Sequence, residues 1–198
     1  MQFKVGDKAV VPALGVGVIK EIERLNLGTT LLEVYVIKIL DNGLTYKVPL
    51  DRVEQNGIRE VMTIDVIDAV YVVLGDREKP ADKQTWNRRY REYMNKIKTG
   101  IPLEVAAVLR DLAILRSEKT LSFGERKMYD QAHGLIVQEI AVARDVDEAV
   151  VKAEIETIFD EADERANPGR KRAQQAKRPL DDEEEEEPSS QDDDDDDL

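Results

Sequence analysis

Hydrophobic and polar positions divide the chain into a strand-rich first third and a helix-rich remainder. Up to about residue 60, short aliphatic and β-branched runs that partly alternate with polar residues are separated by turn residues. From Thr63 onward, apolar residues recur every three or four positions, which is the spacing of amphipathic helices. The change of period predicts a small β domain over residues 1–62, a compact helical domain over residues 63–165 and a tail over residues 166–198.

The first domain is predicted to hold four or five short strands. The strand-like stretches are residues 3–5, 9–11, 16–25, 31–40 and 44–50. Residues 12–17 are expected to form a flexible loop, and the Asn42-Gly43 pair predicts a type I′ hairpin turn. Several short strands in about 55 residues favour a strongly bent barrel of the SH3 or Tudor type. Pro49 predicts an edge strand, because proline cannot donate to a β-ladder.

The second domain is predicted to hold about five helices joined by short loops. Their approximate ranges are 63–74, 85–100, 102–116, 122–144 and 147–165, and residues 75–83 are expected to link the first two. Thr85 and Asp147 are candidate N-caps, and Gly100 is a candidate helix stop. Ser122 and Glu125 have the spacing of a capping box. The whole pattern predicts an α+β protein of two domains.

Composition narrows the class of protein. The 198 residues include no cysteine, which excludes disulfides, thiolate metal sites and a cysteine nucleophile. No run is apolar over the length of a bilayer span and the N-terminus lacks a signal-peptide core, so we expect a cytoplasmic protein. His133 is the single histidine, and no phosphate-binding glycine loop occurs. The sequence therefore predicts neither a cofactor nor a metal, and no enzyme.

Acidic residues are concentrated in the tail. The chain has 29 basic and 42 acidic side chains, and 13 of the acidic ones lie within residues 181–198. Setting those 13 aside leaves 29 acidic against 29 basic side chains, so the remainder is neutral overall. We expect the tail to be disordered. Three roles stay open for it: a solubilising segment, a nucleic-acid mimic that competes for the protein's own basic patch, or a site for a basic partner.

Residues 85–100 combine the only tryptophan, Trp86, with a cluster of arginines and tyrosines. Helical spacing places Arg88, Arg91 and Lys98 on the face opposite an apolar stripe. Cations of this kind neutralise phosphates, and an aromatic ring beside them can wedge into a base step or stack on an unpaired base. In the alternative interpretation, Trp86 is a core residue and the arginines are a solvated face.

Seven short segments occur in a distinctive order along the chain. They are MQFKVGDKAV at 1–10, GVG at 15–17, NG at 42–43 followed by KVP at 47–49, TWNRRY at 85–90, RDL at 110–112 and LSFGERKM at 121–128. In this order and spacing they resemble the CarD/CdnL family of bacterial RNA-polymerase-binding transcription regulators, over roughly residues 1–160. The acidic tail is not a core feature of that family, and it contains no Arg-Gly-Arg-Pro hook for the minor groove.

The resemblance implies a role for each domain. The first would be similar to the RNA-polymerase-interacting domain of transcription-repair coupling factors and would dock on the polymerase β subunit, partly by strand pairing. The implied docking residues are Arg24, Lys47, Val48 and Pro49. The second would contact promoter DNA at the upstream edge of the bubble without reading its sequence, with Trp86 as a minor-groove wedge. The implied DNA contacts are Trp86, Arg88, Arg89, Arg91, Lys98, Arg126 and Lys127. The expected result is a stabilised open complex.

Two other classes of function fit parts of the sequence. A chromatin reader or histone-type binding protein would use the Tudor-like barrel and the acidic tail, but it needs an aromatic cage, for which Tyr35 and Tyr46 are the candidates. A hydrolase would need clustered acids or a histidine partner, and the sequence offers neither. The resemblance to the CarD/CdnL family therefore implies a monomeric transcription regulator that acts with RNA polymerase at the nucleoid.

Overall fold

An antiparallel sheet followed by five helices makes up the described part of the chain. The computed structural model describes residues 3–27, 30–77, 85–166 and 168. The strands are β1 (Lys8–Val11), β2 (Gly15–Leu27), β3 (Thr30–Ile39) and β4 (Thr45–Pro49), followed by a 3-10 turn at Leu50–Arg52. The helices are α1 (Ile64–Gly75), α2 (Trp86–Thr99), α3 (Pro102–Glu118), α4 (Phe123–Arg144) and α5 (Glu148–Ala166). The α+β layout predicted from the sequence is confirmed.

Two predicted segments, the linker and the tail, fall largely outside the described residues. Most of the linker predicted over residues 75–83 and almost all of the tail predicted over residues 166–198 lie outside the described residues. The described residues up to Pro168 belong to one compact unit. The division into domains at residues 62 and 63 stays a prediction.

The sheet is curled into an open half-barrel. Its strands pair in chain order, each antiparallel to the next. Between the pairs Ile19↔Ile37 and Glu21↔Val36, Lys20 is an extra residue on β2, and a bulge of this kind bends a strand. Among the described strands β4 pairs only with β3, as expected for the strand that ends at Pro49. The concave face encloses a core of Phe3, Ala9, Val11, Ile19, Tyr35, Ile37, Ile39, Val48, Val53 and Ile58.

The strand predicted at residues 3–5 is wrong. Phe3 packs edge-on against Tyr35, with 6.0 Å between ring centroids. The Phe3 backbone N–H donates to the Tyr35 hydroxyl at 3.0 Å rather than to a neighbouring strand. Burial of the ring and this single hydrogen bond replace the ladder that the apolar pattern predicted.

The loop between β1 and β2 is shorter than predicted, and the turn between β3 and β4 is longer. β2 begins at Gly15, so the loop is confined to residues 12–14 instead of 12–17. The connection after Ile39 is not a type I′ turn, because Gly43 has a positive φ of 69° but Asn42 does not. The Asn42 side chain instead accepts the backbone N–H of Leu44 at 3.0 Å, and Gly43 N–H donates to the Ile39 carbonyl at 3.0 Å. A polar side chain closing on its own turn thus selects a longer loop.

The helices bury most of the stripes that their spacing predicts, although Tyr90, on the predicted stripe of α2, is 43% exposed. The helical core includes Ile67, Val70, Leu74, Tyr93, Ile97, Val105, Leu109, Leu112, Met128, Ala132, Ile136, Val151, Ile155 and Phe159. Gly100 ends α2 with a left-handed φ of 68°, and Asp147 caps α5 by accepting the backbone N–H of Ala149 at 2.7 Å. Thr85 precedes α2 but makes no side-chain capping hydrogen bond. Among the described helices, none combines the length and the apolar character needed to cross a membrane.

Candidate nucleic-acid interface

Trp86 lies where the N-terminus of α2 meets that of α4. It is the first residue of α2 and is half-buried, outside the helical core. Its ring meets that of Tyr90 edge-on, with 5.7 Å between centroids. On the other side it rests on the backbone of Gly124, the second residue of α4. A Cβ atom added to Gly124 would lie 3.0 Å from Cζ2 of Trp86. The missing side chain at position 124 is therefore what lets the indole sit this close to α4.

Arg89 packs against the Trp86 ring and is itself largely buried. Its guanidinium carbon lies 5.8 Å from the centre of the indole. The side chain of Arg89 is 18% exposed, and its Nη2 donates to Oε1 of Glu125 at 3.2 Å. Glu125 also pairs with Lys119 at 3.3 Å. The guanidinium is thus held between the indole and a buried carboxylate, a different place from that of the solvent-exposed arginines on the same helix.

Glu125 closes the capping box that begins α4. Its carboxylate accepts the backbone N–H of Ser122 at 2.9 Å, and the Ser122 hydroxyl accepts the Glu125 N–H in return. Burial raises the pKa of Glu125, but the hydrogen bonds from Ser122 and the charge of Lys119 outweigh burial and leave the pKa below its ordinary value. An ionised Glu125 fixes both the start of α4 and the position of Arg89.

Exposed cations surround this junction. Arg88, Arg91 and Lys98 lie on the outer face of α2, and Arg126 and Lys127 lie exposed in the first turns of α4. Arg88 reaches Glu92 at 3.4 Å on the surface of its own helix, a contact worth little in water. Lys98 is 12 residues from Trp86, which places it roughly 18 Å along the helix axis. The contact between Trp86 and Gly124 brings the starts of the two basic segments together.

Cations elsewhere in the helical part are mostly paired with carboxylates, whereas several on α2 and at the start of α4 are not. Most of the remaining cations in the described helical part, which lie on or just after α1 and α3 and on α4 and α5, are paired with carboxylates: Arg77, Arg110, Arg116, Lys119, Arg144 and Lys152. Apart from Arg165, the cations of this part that make no ion pair there are Arg91, Lys96, Lys98, Arg126 and Lys127. All five lie on α2 or in the first turns of α4. Positive charge left unpaired in the described helical part therefore lies mainly on α2 and the first turns of α4, the two segments that meet at Trp86, as a phosphate-binding surface requires.

The predicted docking residues lie on two strands of the sheet. Arg24 on β2 is 71% exposed and pairs with Glu33 at 2.8 Å. Lys47 on β4 pairs with Glu23 of β2 at 2.5 Å. Val48 is 1% exposed, so its side chain belongs to the sheet core. Pro49, at the end of the edge strand, is half-buried.

The aromatic cage needed by a chromatin reader is not formed by the candidate tyrosines. Tyr35 is 2% exposed and its ring packs against Phe3 in the sheet core. Its hydroxyl is engaged by the backbone of Phe3. A ring buried in this way offers no face to a methylated lysine.

Polar residues that join the sheet to the helices were missed by the sequence analysis. Arg59, which follows the sheet, makes a two-pronged ion pair with Glu139 of α4, one prong of which spans 2.9 Å from Nη2 to Oε2. Gln138 of α4 accepts the backbone N–H of Val16 at 2.8 Å. Glu139 also accepts the N–H of Met62 at 3.0 Å. The one available signal was a Gln-Glu pair inside the apolar run LIVQEIAVA, which predicts buried polar groups with distant partners.

Comparison with known proteins gives two family matches that together span most of the described chain. Residues 3–62 match the CarD-like/TRCF RID domain. Residues 69–156 match the C-terminal domain of CarD. The chain is also similar to YdeB of Bacillus subtilis (strain 168), which is provisionally named a transcription factor, with 31% identity over 155 residues.

The extent of these matches decides the family. The similarity to YdeB covers 76% of this chain and 98% of the relative, so it extends well beyond either part of the fold alone. The two domain matches follow the order found in the structure, with the sheet before the helices. The chain therefore belongs to the CarD family, a family of transcription factors rather than enzymes.

Proposed function

We propose that this transcription regulator docks on the β subunit of bacterial RNA polymerase and stabilises the promoter open complex by placing Trp86 at the upstream fork of the bubble. The observation that supports this most directly is the seating of Trp86, held between Arg89 and the backbone of Gly124 and flanked by exposed cations. A rigid, half-exposed indole at the meeting point of two helix N-termini suits a wedge, because it does not have to be ordered on binding.

Different residues have different tasks in this proposal. Arg88, Arg91, Lys98, Arg126 and Lys127 contact phosphates along the DNA backbone, which positions the protein without reading bases. Arg89, paired with the buried Glu125, holds the indole in place and contributes its charge from beneath the surface. The helix N-termini add partial positive charge toward the same backbone.

Energetics favour a fork over intact duplex. Opening a base step for an inserted ring costs a few kcal/mol, and the cost falls where the bases are already splayed. Five phosphate contacts give weak affinity and a slope of log K against log salt of about −4.5. Docking on polymerase supplies the remaining affinity by raising the local concentration of the helical part near the DNA. The site of action would then be the cytoplasm, where the polymerase works.

The sheet supplies the polymerase contact. The matched family domain for residues 3–62 is shared with TRCF, and the outer edge of β4 offers backbone groups to which a partner strand could add. Lys47 places a cation on β4 itself, and Arg24 places another on β2, two strands away. Reversing both charges, by Arg24→Glu with Lys47→Glu, should abolish capture of the isolated β subunit while leaving DNA binding by the helical part unchanged.

The central test is the half-life of a promoter open complex after addition of a competitor. Wild-type protein should lengthen it, and Trp86→Ala should remove most of the gain. Trp86→Phe is the matched control, because it keeps an apolar ring, and should retain part of the effect. No lengthening by wild type on several promoters contradicts the proposal. Equal lengthening by wild type and Trp86→Ala leaves polymerase as the partner but removes the wedge.

A further inference from the structure

Phe123 is the most exposed large apolar residue in the described part of the chain. It is 86% exposed and is the first residue of α4, just as Trp86 is the first residue of α2. It is not in the helical core, nor among the partly buried residues packed against it. Almost none of its apolar surface is therefore removed from water by folding, and the side chain adds little to stability.

The surroundings of Phe123 are those of the candidate interface. The neighbouring residue, Gly124, packs against the Trp86 indole. A Cβ atom added to Gly124 would lie 3.0 Å from Cζ2 of Trp86. Arg126 and Lys127 follow within one turn and are exposed. Single exposed apolar residues are common on protein surfaces and call for no explanation. An exposed phenyl ring one residue from the seat of a half-exposed indole, inside a cluster of unpaired cations, is a different case.

The charges and aromatic rings around Phe123 indicate which class of ligand this surface would bind. Unpaired cations beside two aromatic rings fit a polyanion that carries flat apolar groups, which is the description of a nucleic acid with exposed bases. Intact duplex hides its bases in the stack, whereas a fork presents unpaired ones. A ring with nothing packed over it can stack on such a base without displacing any protein contact.

We infer that Phe123 is a second aromatic DNA contact, which stacks on an unpaired nucleotide next to the one engaged by Trp86. The two rings, carried by the first residues of adjacent helices, would grip neighbouring positions of the splayed strand. The inference rests on the proposed function and extends it, because it makes preference for a fork a property of two rings rather than one.

The test compares binding of the full-length chain to forked DNA and to fully paired DNA of the same sequence, by fluorescence anisotropy at low salt. We expect wild type to prefer the fork. Phe123→Ala should weaken fork binding about fivefold or more, the lower end of measured base–aromatic stacking, and leave duplex binding nearly unchanged. Phe123→Leu should recover only part of the loss, since it restores apolar area without a flat ring.

Val72→Ala is the matched control. Val72 is 74% exposed on α1, so its truncation also removes an exposed apolar side chain, and it should leave fork binding unchanged. Thermal unfolding of Phe123→Ala should match wild type, because the ring packs on nothing in the core. An affinity change without a stability change would then be assigned to the contact itself.

The outcomes separate this inference from the proposed function. If Trp86→Ala loses fork preference while Phe123→Ala keeps it, the function stands and the second contact is overturned. If wild type itself shows no preference for a fork, both fail. If Phe123→Ala weakens capture of polymerase in the absence of DNA instead, the ring is a protein contact and the inference is wrong.

Discussion

Arg59 and Glu139 form a two-pronged ion pair that fastens the sheet to the helices. The two residues are 80 positions apart in sequence, and the Arg59 guanidinium also donates to the Gly100 carbonyl at 2.8 and 2.9 Å. The Arg59 side chain is 26% exposed and that of Glu139 is 6% exposed. One guanidinium thus joins the segment after the sheet, the end of α2 and the middle of α4. This geometry fixes the direction in which α2 carries Trp86 relative to the edge of the sheet.

Breaking that pair should uncouple the two parts of the fold. Glu139→Gln leaves Arg59 without a charged partner in a largely buried position, and we expect a loss of about 2–4 kcal/mol in unfolding free energy. Denaturant unfolding, followed by circular dichroism and by the fluorescence of Trp86, measures it. A double-mutant cycle with Arg59→Met gives the coupling itself. Arg59→Lys should rescue little, since an ammonium cannot reproduce the paired contacts. Additive single and double changes would contradict the coupling.

Gly124→Ala should change the position of the Trp86 ring without lowering the stability of the fold. Alanine favours helix over glycine by up to about 1 kcal/mol, so the unfolding free energy should stay level or rise. The added methyl would lie 3.0 Å from the indole, so we expect the ring to move by a few tenths of an ångström. We expect altered Trp86 fluorescence and a shorter open-complex half-life in a protein that is no less stable. Gly134→Ala is the control, because a Cβ on Gly134, also in α4, meets nothing within 4 Å. An unchanged half-life for Gly124→Ala would show that the fit on α4 does not matter.

Glu125 should contribute to the acid sensitivity of the fold. Its pKa lies below the ordinary value in the folded protein, so its ionised form contributes stability at neutral pH that is lost as the pH falls from about 4.3 through the lowered value. Glu125→Gln should cost about 1 kcal/mol at pH 7 and flatten the loss of stability below pH 5. Unfolding titrations from pH 7 to pH 3 measure this. Glu148→Gln, an exposed first-turn glutamate of α5, is the matched control. Parallel pH curves for wild type and Glu125→Gln would refute the assignment.

The cations beside Trp86 should set the salt dependence of DNA binding. Each phosphate contact adds about 0.9 to the slope of log K against log salt, so Arg126→Ala should reduce that slope by about 1 on any sequence. Arg91→Ala should act in the same way. Lys152→Ala removes the same charge from a surface pair with Glu148 on α5 and should leave the slope unchanged. Equal effects of Arg126→Ala and Lys152→Ala would mean that net charge, and not this surface, governs binding.

The acidic tail should compete with DNA. A chain ending at Leu180 lacks the 13 acidic residues and keeps every basic one. A tethered polyanion acts at high effective concentration, and its attraction to a basic surface is screened by salt. We therefore expect the shortened chain to bind DNA about two- to tenfold more tightly at low salt, and the difference to vanish at about 0.3 M salt, where the Debye length is shorter. Equal affinity at low salt would assign the tail to solubility or to a basic partner.

Local periodicity determined most of the secondary structure. The capping box at Ser122, the stop at Gly100, the cap at Asp147 and the inward stripes of the helices depend on neighbours within one turn, and all were predicted from the sequence. The same local rules failed at two places. Phe3 packs on Tyr35, a tertiary contact, instead of forming a strand. At Asn42 a local contact decided the turn, because the side chain accepts the backbone N–H of Leu44 two residues on.

The sequence by itself determined the layout, the family resemblance and the cluster of cations around Trp86, because these follow from spacing along one helix and from short motifs. Only the tertiary structure showed that Arg89 points inward to Glu125, since the two are 36 positions apart. The seat of Trp86 on Gly124, the exposure of Phe123 and the link between Arg59 and Glu139 likewise depend on how helices pack. Contacts between distant segments carry no local signature, so the fold alone decides which arginine supports the ring and which ones stay exposed to solvent.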